Sequence, residues 1–182
     1  SHAGKQDWFT RVHVQSGTYT NAGTPTEPVA TIDRQVTLLG EGATKPVLSS
    51  VSTSVDVVTA GGTPTATTRG ASKVSLDTVQ LTGGRNGLYG YAMSGLSIAN
   101  TLITNNPTQG GIYLSVITGN VSITNTEVTN NGDISTSNAG GTGALWAANG
   151  TYALTITGSK FNNNYNGIYV PTTGGRPFVF TN

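Results

Sequence analysis

Acidic side chains come first, because carboxylates can act as general acids and bases and can hold hard cations. Glycosidic hydrolysis needs two carboxylates placed across the scissile bond. A calcium ion needs about six to eight oxygen ligands, several of them charged. The chain offers eight acids: Asp7, Glu27, Asp33, Glu41, Asp56, Asp77, Glu127 and Asp133. Cysteine is absent, which removes disulfides and thiolate metal sites. His13 alternates outward between Val12 and Val14 with no partner in view, the pattern of a solvated side chain. Arg85, inside "GGRNG", is placed to reach Asp133 in the following loops, either fixing those loops or clamping a carboxylated sugar.

Whether the acids converge depends on the elements that carry them, and those repeat. Four eleven-residue segments align without gaps: "VSLDTVQLTGG" from Val74, "LSIANTLITNN" from Leu96, "VSITNTEVTNN" from Val121 and "LTITGSKFNNN" from Leu154. Their first column (Val74, Leu96, Val121, Leu154) and third (Leu76, Ile98, Ile123, Ile156) are apolar, with Ser75, Ser97, Ser122 and Thr155 between them. A period of two marks strands with one face inward. After two turning residues the inward column resumes at Leu81, Ile103, Val128 and Phe161, flanked outward by Gln80, Leu102, Glu127 and Lys160.

Each segment closes on a Gly or Asn pair, residue types that tolerate the left-handed backbone of a sharp corner. Stacked Asn amides can also bond from rung to rung. A third apolar signature follows, in which Leu88, Ile112, Leu145 and Ile168 point inward. That sends Tyr89, Tyr113, Trp146 and Tyr169 outward as a stripe, with Tyr91 beside its start. Segment starts 22, 25 and 33 residues apart suit coils of a solenoid with loops of variable length. In these columns no two acids stack. Glu127 meets Lys160 on the next rung, which reads as a surface ion pair.

Composition narrows the partners. Charged residues make up 9% of the chain, far below the roughly 25% of an average soluble domain. With a formal charge of +1, nothing attracts a phosphate backbone, and no apolar run is long enough to span a bilayer. Nucleic acid and membrane insertion are therefore not expected. The opening "SHA" resembles the remnant of a purification tag, so Ser1 and His2 are left out of the functional reading.

The tandem "VSITNTEVTNN…GALW" and "LTITGSKFNNNYNGIYV" resemble coils of the right-handed parallel β-helix proteins, the architecture of pectate lyases and of many bacterial surface proteins. "RVHVQSGTY" (residues 11–19) and "IDRQVTLLGEG" (residues 32–42) resemble earlier coils of the same kind. The resemblance implies an all-β right-handed parallel β-helix with three short strands per coil. One domain over residues 1–182 follows: N-terminal coils to 50, an irregular excursion over 51–73 with a strand around Val55 to Val58, and regular coils over 74–182. It leaves open whether the chain is part of a longer one. The family's lyases use acids holding calcium and a basic residue that removes a proton. No such motif is found here, and no catalytic residue is carried over.

The expected function is a non-catalytic extracellular or cell-surface module. It would bind polysaccharide, or serve adhesion, through Tyr89, Tyr113, Trp146 and Tyr169, with neither cofactor nor metal. Ring faces left in water favour the apolar faces of sugars. Rings on successive rungs can instead stack on one another and stabilise the solenoid. The insertion "GDISTSNAGGTG" after Asn131 opens beside this stripe. The alternatives are a polysaccharide lyase or glycoside hydrolase with loop-borne acids, and a structural protein that self-associates through the helix ends.

Overall fold

The computed structural model describes residues 10–21, 26–62, 73–132, 143–170 and 177–181. Every coil contributes three strands, one to each of three sheets. The first coil is β1 (Thr10–Gln15), β2 (Thr18–Thr20) and β3 (Ala30–Ile32); the second is β4 (Val36–Glu41), β5 (Val47–Ser49) and β6 (Val58–Gly61). β7 (Val74–Asp77), β8 (Gln80–Thr82) and β9 (Asn86–Tyr91) follow, then β10 (Leu96–Ala99), β11 (Leu102–Thr104) and β12 (Gly110–Ser115). The fifth and sixth coils are β13 (Val121–Thr124), β14 (Glu127–Thr129), β15 (Gly143–Ala148), and β16 (Leu154–Thr157), β17 (Lys160–Asn162), β18 (Ile168–Tyr169). β19 (Phe178–Thr181) adds a last strand to the first sheet.

Each strand pairs in parallel with its counterpart one coil away, so among the described residues the sheets hold seven, six and six strands. The aligned columns are register partners: Leu96 lies between Val74 and Val121, and Ile98 between Leu76 and Ile123. Leu81, Ile103, Val128, Leu88, Ile112 and Leu145 are buried as expected, while Phe161 and Ile168 in the sixth coil are half-buried. A further buried set, Met93, Ile117 and Tyr152, comes from the turns leading back to the first sheet. Those turns differ too much in sequence to align, so this part of the core was not legible from columns. Tyr152 fits because its hydroxyl donates to the Ala147 carbonyl at 2.8 Å.

At the corner between second and third sheets the two asparagines divide the work. Asn105, Asn130 and Asn163 take the left-handed backbone, with φ of 54°, 55° and 52°. Asn106, Asn131 and Asn164 turn inward and bond rung to rung, Asn106 Nδ2 to Asn131 Oδ1 and Asn131 Nδ2 to Asn164 Oδ1, both at 2.9 Å. Gly84 interrupts this ladder, because a Cβ there would come within 2.7 Å of Val57 Cγ2. At the opposite corner Thr126 and Ser159 accept backbone N–H bonds from Thr101 and Thr126 at 3.4 and 3.1 Å.

Four expectations are corrected. The strand placed around Val55 to Val58 begins at Val58, and Asp56 and Val57 instead turn into the core. Residues 58–61 therefore close the second coil as an ordinary strand within the stretch read as irregular. Among the described residues the ion pairs are His13–Glu41, Arg34–Asp33 and Arg85–Asp56. Glu127 and Lys160, although register partners, do not form the surface ion pair read from the sequence, because two long solvated side chains gain little from being held in one geometry. His13 does have a partner, since the register that sets it beside Leu39 also brings its Nδ1 to Glu41 Oε1. Arg85 turns to Asp56, and Asp133 lies outside the described residues.

Hydrogen bonding from His13, reinforced by Gln15, lowers the pKa of Glu41. A lowered carboxyl adds stability above its unfolded value, and that contribution is lost as pH falls through the folded value. For His13→Ala we expect the Glu41 carboxyl, followed by NMR, to titrate closer to the ordinary 4.5, with the thermal midpoint almost unchanged because both groups are exposed. An unmoved titration would refute the pairing.

Candidate functional site

Four outward aromatics occupy one column of the third sheet, because register pairs Tyr89 with Tyr113, Tyr113 with Trp146 and Trp146 with Tyr169. Parallel pairing sets their Cβ atoms about one strand spacing apart, ~4.8 Å, and flat rings at that spacing stack. Tyr89 and Tyr113 lie with centroids 5.3 Å apart, Tyr113 and Trp146 4.3 Å, Trp146 and Tyr169 6.3 Å, all within 20° of parallel. The inner rings thus turn their faces to each other and their edges to solvent. A free face remains at Tyr169, which is 53% exposed. Desolvation raises the Tyr89 and Tyr113 hydroxyls above the ordinary tyrosine value.

Arg85 caps the other end, its guanidinium carbon 5.9 Å from the Tyr89 ring centroid. Its Nε and Nη2 donate to the two oxygens of Asp56 at 3.1 and 2.6 Å. Asp56, 5% exposed, also accepts from the Asn86 backbone N–H and side-chain amide. Hydrogen bonding to Asp56 raises the Arg85 pKa further. Of the insertion expected to open beside the stripe, residues 132–143, all but its end glycines lie outside those described.

The first sheet carries a second feature that the columns only half revealed. Thr37, Ser75, Ser97 and Ser122 are successive register partners, an outward hydroxyl column crossing four coils. They floor a groove of about 540 Å³ walled in part by Lys73 and Asn120. No acid lines it. The floor was legible as the polar position between two apolar ones, but the wall comes from turns of unequal sequence that no alignment phases. Among the described residues no three His, Cys, Asp or Glu side chains gather where they could hold a metal ion.

In-register parallel sheets, three strands per coil and buried Asn and Ser/Thr ladders define a parallel β-solenoid. The family described as "Right handed beta helix region" matches residues 47–182, and the chain belongs to it. Neither the curated proteins nor the solved structures compared with the chain give a match.

Proposed function

We propose that this β-helix is an extracellular or cell-surface module that binds polysaccharide without cleaving it, in the groove of the first sheet. The observation that carries this reading is the 540 Å³ groove itself, floored by hydroxyls from four coils in register and lined, among the described residues, by a cation and no acid. Hydroxyls at a repeat of ~4.8 Å along the axis offer paired donors and acceptors to a chain of sugar hydroxyls, and the groove spans about three such steps. The stripe of Tyr89, Tyr113, Trp146 and Tyr169 is the second candidate surface. Face stacking on a sugar is open to it at Tyr169, since the neighbouring rings use each other's faces. Adhesion through a glycan follows from the same binding.

The test is retention on a panel of soluble and insoluble polysaccharides, with the supernatant assayed for released sugar. Ser97→Tyr, which fills the groove from an outward strand position, is expected to lower affinity at least about tenfold, while Tyr169→Ala leaves it unchanged. Loss confined to Tyr169→Ala would move the site to the stripe. Released sugar would establish catalysis, and no retention on any glycan would sink the binding reading.

A further inference from the structure

We propose that the outer edge of the Arg85 guanidinium is a carboxylate-binding site at the head of the aromatic stack, separate from the groove and independent of the function assigned to it. A guanidinium carries five N–H donors in a rigid plane. Asp56 takes one side of that plane, through Nε and one N–H of Nη2. Three donors remain, the second N–H of Nη2 and both of Nη1. They find no acceptor among the described residues. Two of these three are parallel and form the end-on fork, whose spacing matches the two oxygens of a carboxylate.

The fork is both fixed and reachable. Asp56 is buried and further held by the Asn86 backbone N–H at 3.2 Å and the Asn86 side-chain amide at 2.8 Å, so it cannot swing away and carry Arg85 with it. The Arg85 side chain nevertheless keeps 37% of its surface in solvent. Four donors share the Asp56 charge, which leaves the outward edge of the guanidinium attractive to a single negative charge. With Asp56 beside it the pair is formally neutral, so a doubly charged phosphate gains little over a flat monoanion.

The neighbours are compatible. Gln109 accepts from Asn86 Nδ2 at 3.1 Å through its Oε1, and its own amide N–H groups find no acceptor among the described residues. Its backbone N–H donates to the Arg85 carbonyl at 2.9 Å, which ties its main chain to that of Arg85. The Tyr89 and Tyr113 hydroxyls interact electrostatically with Arg85, and burial holds them protonated, so they do not repel an anion. The ligand is a small carboxylate, whose source is either a free organic acid or an acidic sugar unit.

The experiment follows the Arg85 Nε–Hε resonance of the full chain by NMR during titration with acetate, glucuronate, methyl glucoside and inorganic phosphate. Both carboxylates are expected to shift the resonance saturably, and methyl glucoside is not. Equal affinity for acetate and glucuronate assigns the carboxylate alone, whereas tighter glucuronate assigns the acidic sugar. Arg85→Lys keeps the charge and loses the fork, and should weaken glucuronate about tenfold, followed in both proteins by the backbone amide resonances of Asn86 and Gln109, with the near-UV CD unchanged. Gln109→Ala is the second variant, expected to weaken binding with the Asp56 pair intact. Phosphate binding tighter than either carboxylate, an equal response to methyl glucoside, no response to either carboxylate, or undiminished affinity in both variants would overturn the proposal.

Discussion

Asn131→Ala is expected to cost about 3–5 kcal/mol of stability, measured by denaturant unfolding. Asn131 is buried and its side chain makes five hydrogen bonds. Its Nδ2 donates to the Ile103 and Thr129 carbonyls at 3.0 and 2.9 Å and to Asn164 Oδ1, while its Oδ1 accepts both the backbone and side-chain N–H groups of Asn106. Alanine leaves several of these groups unpaired in the interior, each costing about 1–3 kcal/mol. Water entering the vacated space recovers part of that, which keeps the total below the simple sum. Thr126→Val is the matched control. It removes one weak acceptor bond from Thr101 N at 3.4 Å and one donor bond to the Thr124 carbonyl at 3.0 Å, for an expected cost of about 1–2 kcal/mol. Equal losses in the two variants would mean that the asparagine ladder is no more than a corner filler.

That ladder shows how far the sequence carries. Val121 and Ile123 with Ser122 between them state a strand face unambiguously, because one residue of slip would bury Ser122 and expose both aliphatics. Four such segments in phase leave parallel stacking as the arrangement that keeps every column on its own face. Asn130-Asn131 marks the corner equally well, yet the separate jobs of the two residues follow from φ at Asn130 and burial at Asn131, neither of which residue type alone discloses.

Sites are legible only where they inherit that phase. The alignment of Tyr89, Tyr113, Trp146 and Tyr169 follows from alternation, but alternation fixes where Cβ points and not how a ring turns, and ring orientation decides whether a sugar finds a face or an edge. Lys73 and Asn120 belong to the groove through turns that share no pattern. Asp56 and Arg85 are hardest to foresee. They stand 29 residues apart, and Asp56 reads as a position on a strand that in fact begins two residues later. The Gly84 break is their trace in the sequence. Where the ladder lacks its asparagine, Val57 fills the space and the adjoining Asp56 enters the interior, which then demands a cation.

The second large effect follows from that demand and should be lopsided. Arg85→Ala is expected to destabilise the protein by about 3 kcal/mol, because Asp56 is left charged in a site that excludes water. The lost contact with Tyr89 adds about 0.5 kcal/mol or less. Asp56→Asn should cost about 1 kcal/mol, since the amide oxygen still accepts from Asn86 while the partly exposed Arg85 turns to solvent. The double variant Arg85→Ala with Asp56→Asn should recover more than half of the single Arg85→Ala loss, giving a coupling that denaturant unfolding of the four proteins measures directly. High salt should weaken this coupling less than that of a fully exposed pair, because Asp56 is buried although Arg85 is partly exposed. If Asp56→Asn proved the costlier change, the carboxylate would be anchoring Asn86, and through it Gln109, more than it needs Arg85. The guanidinium would then be the guest in this corner, and its outer fork would lose the rigid backing that anion capture requires.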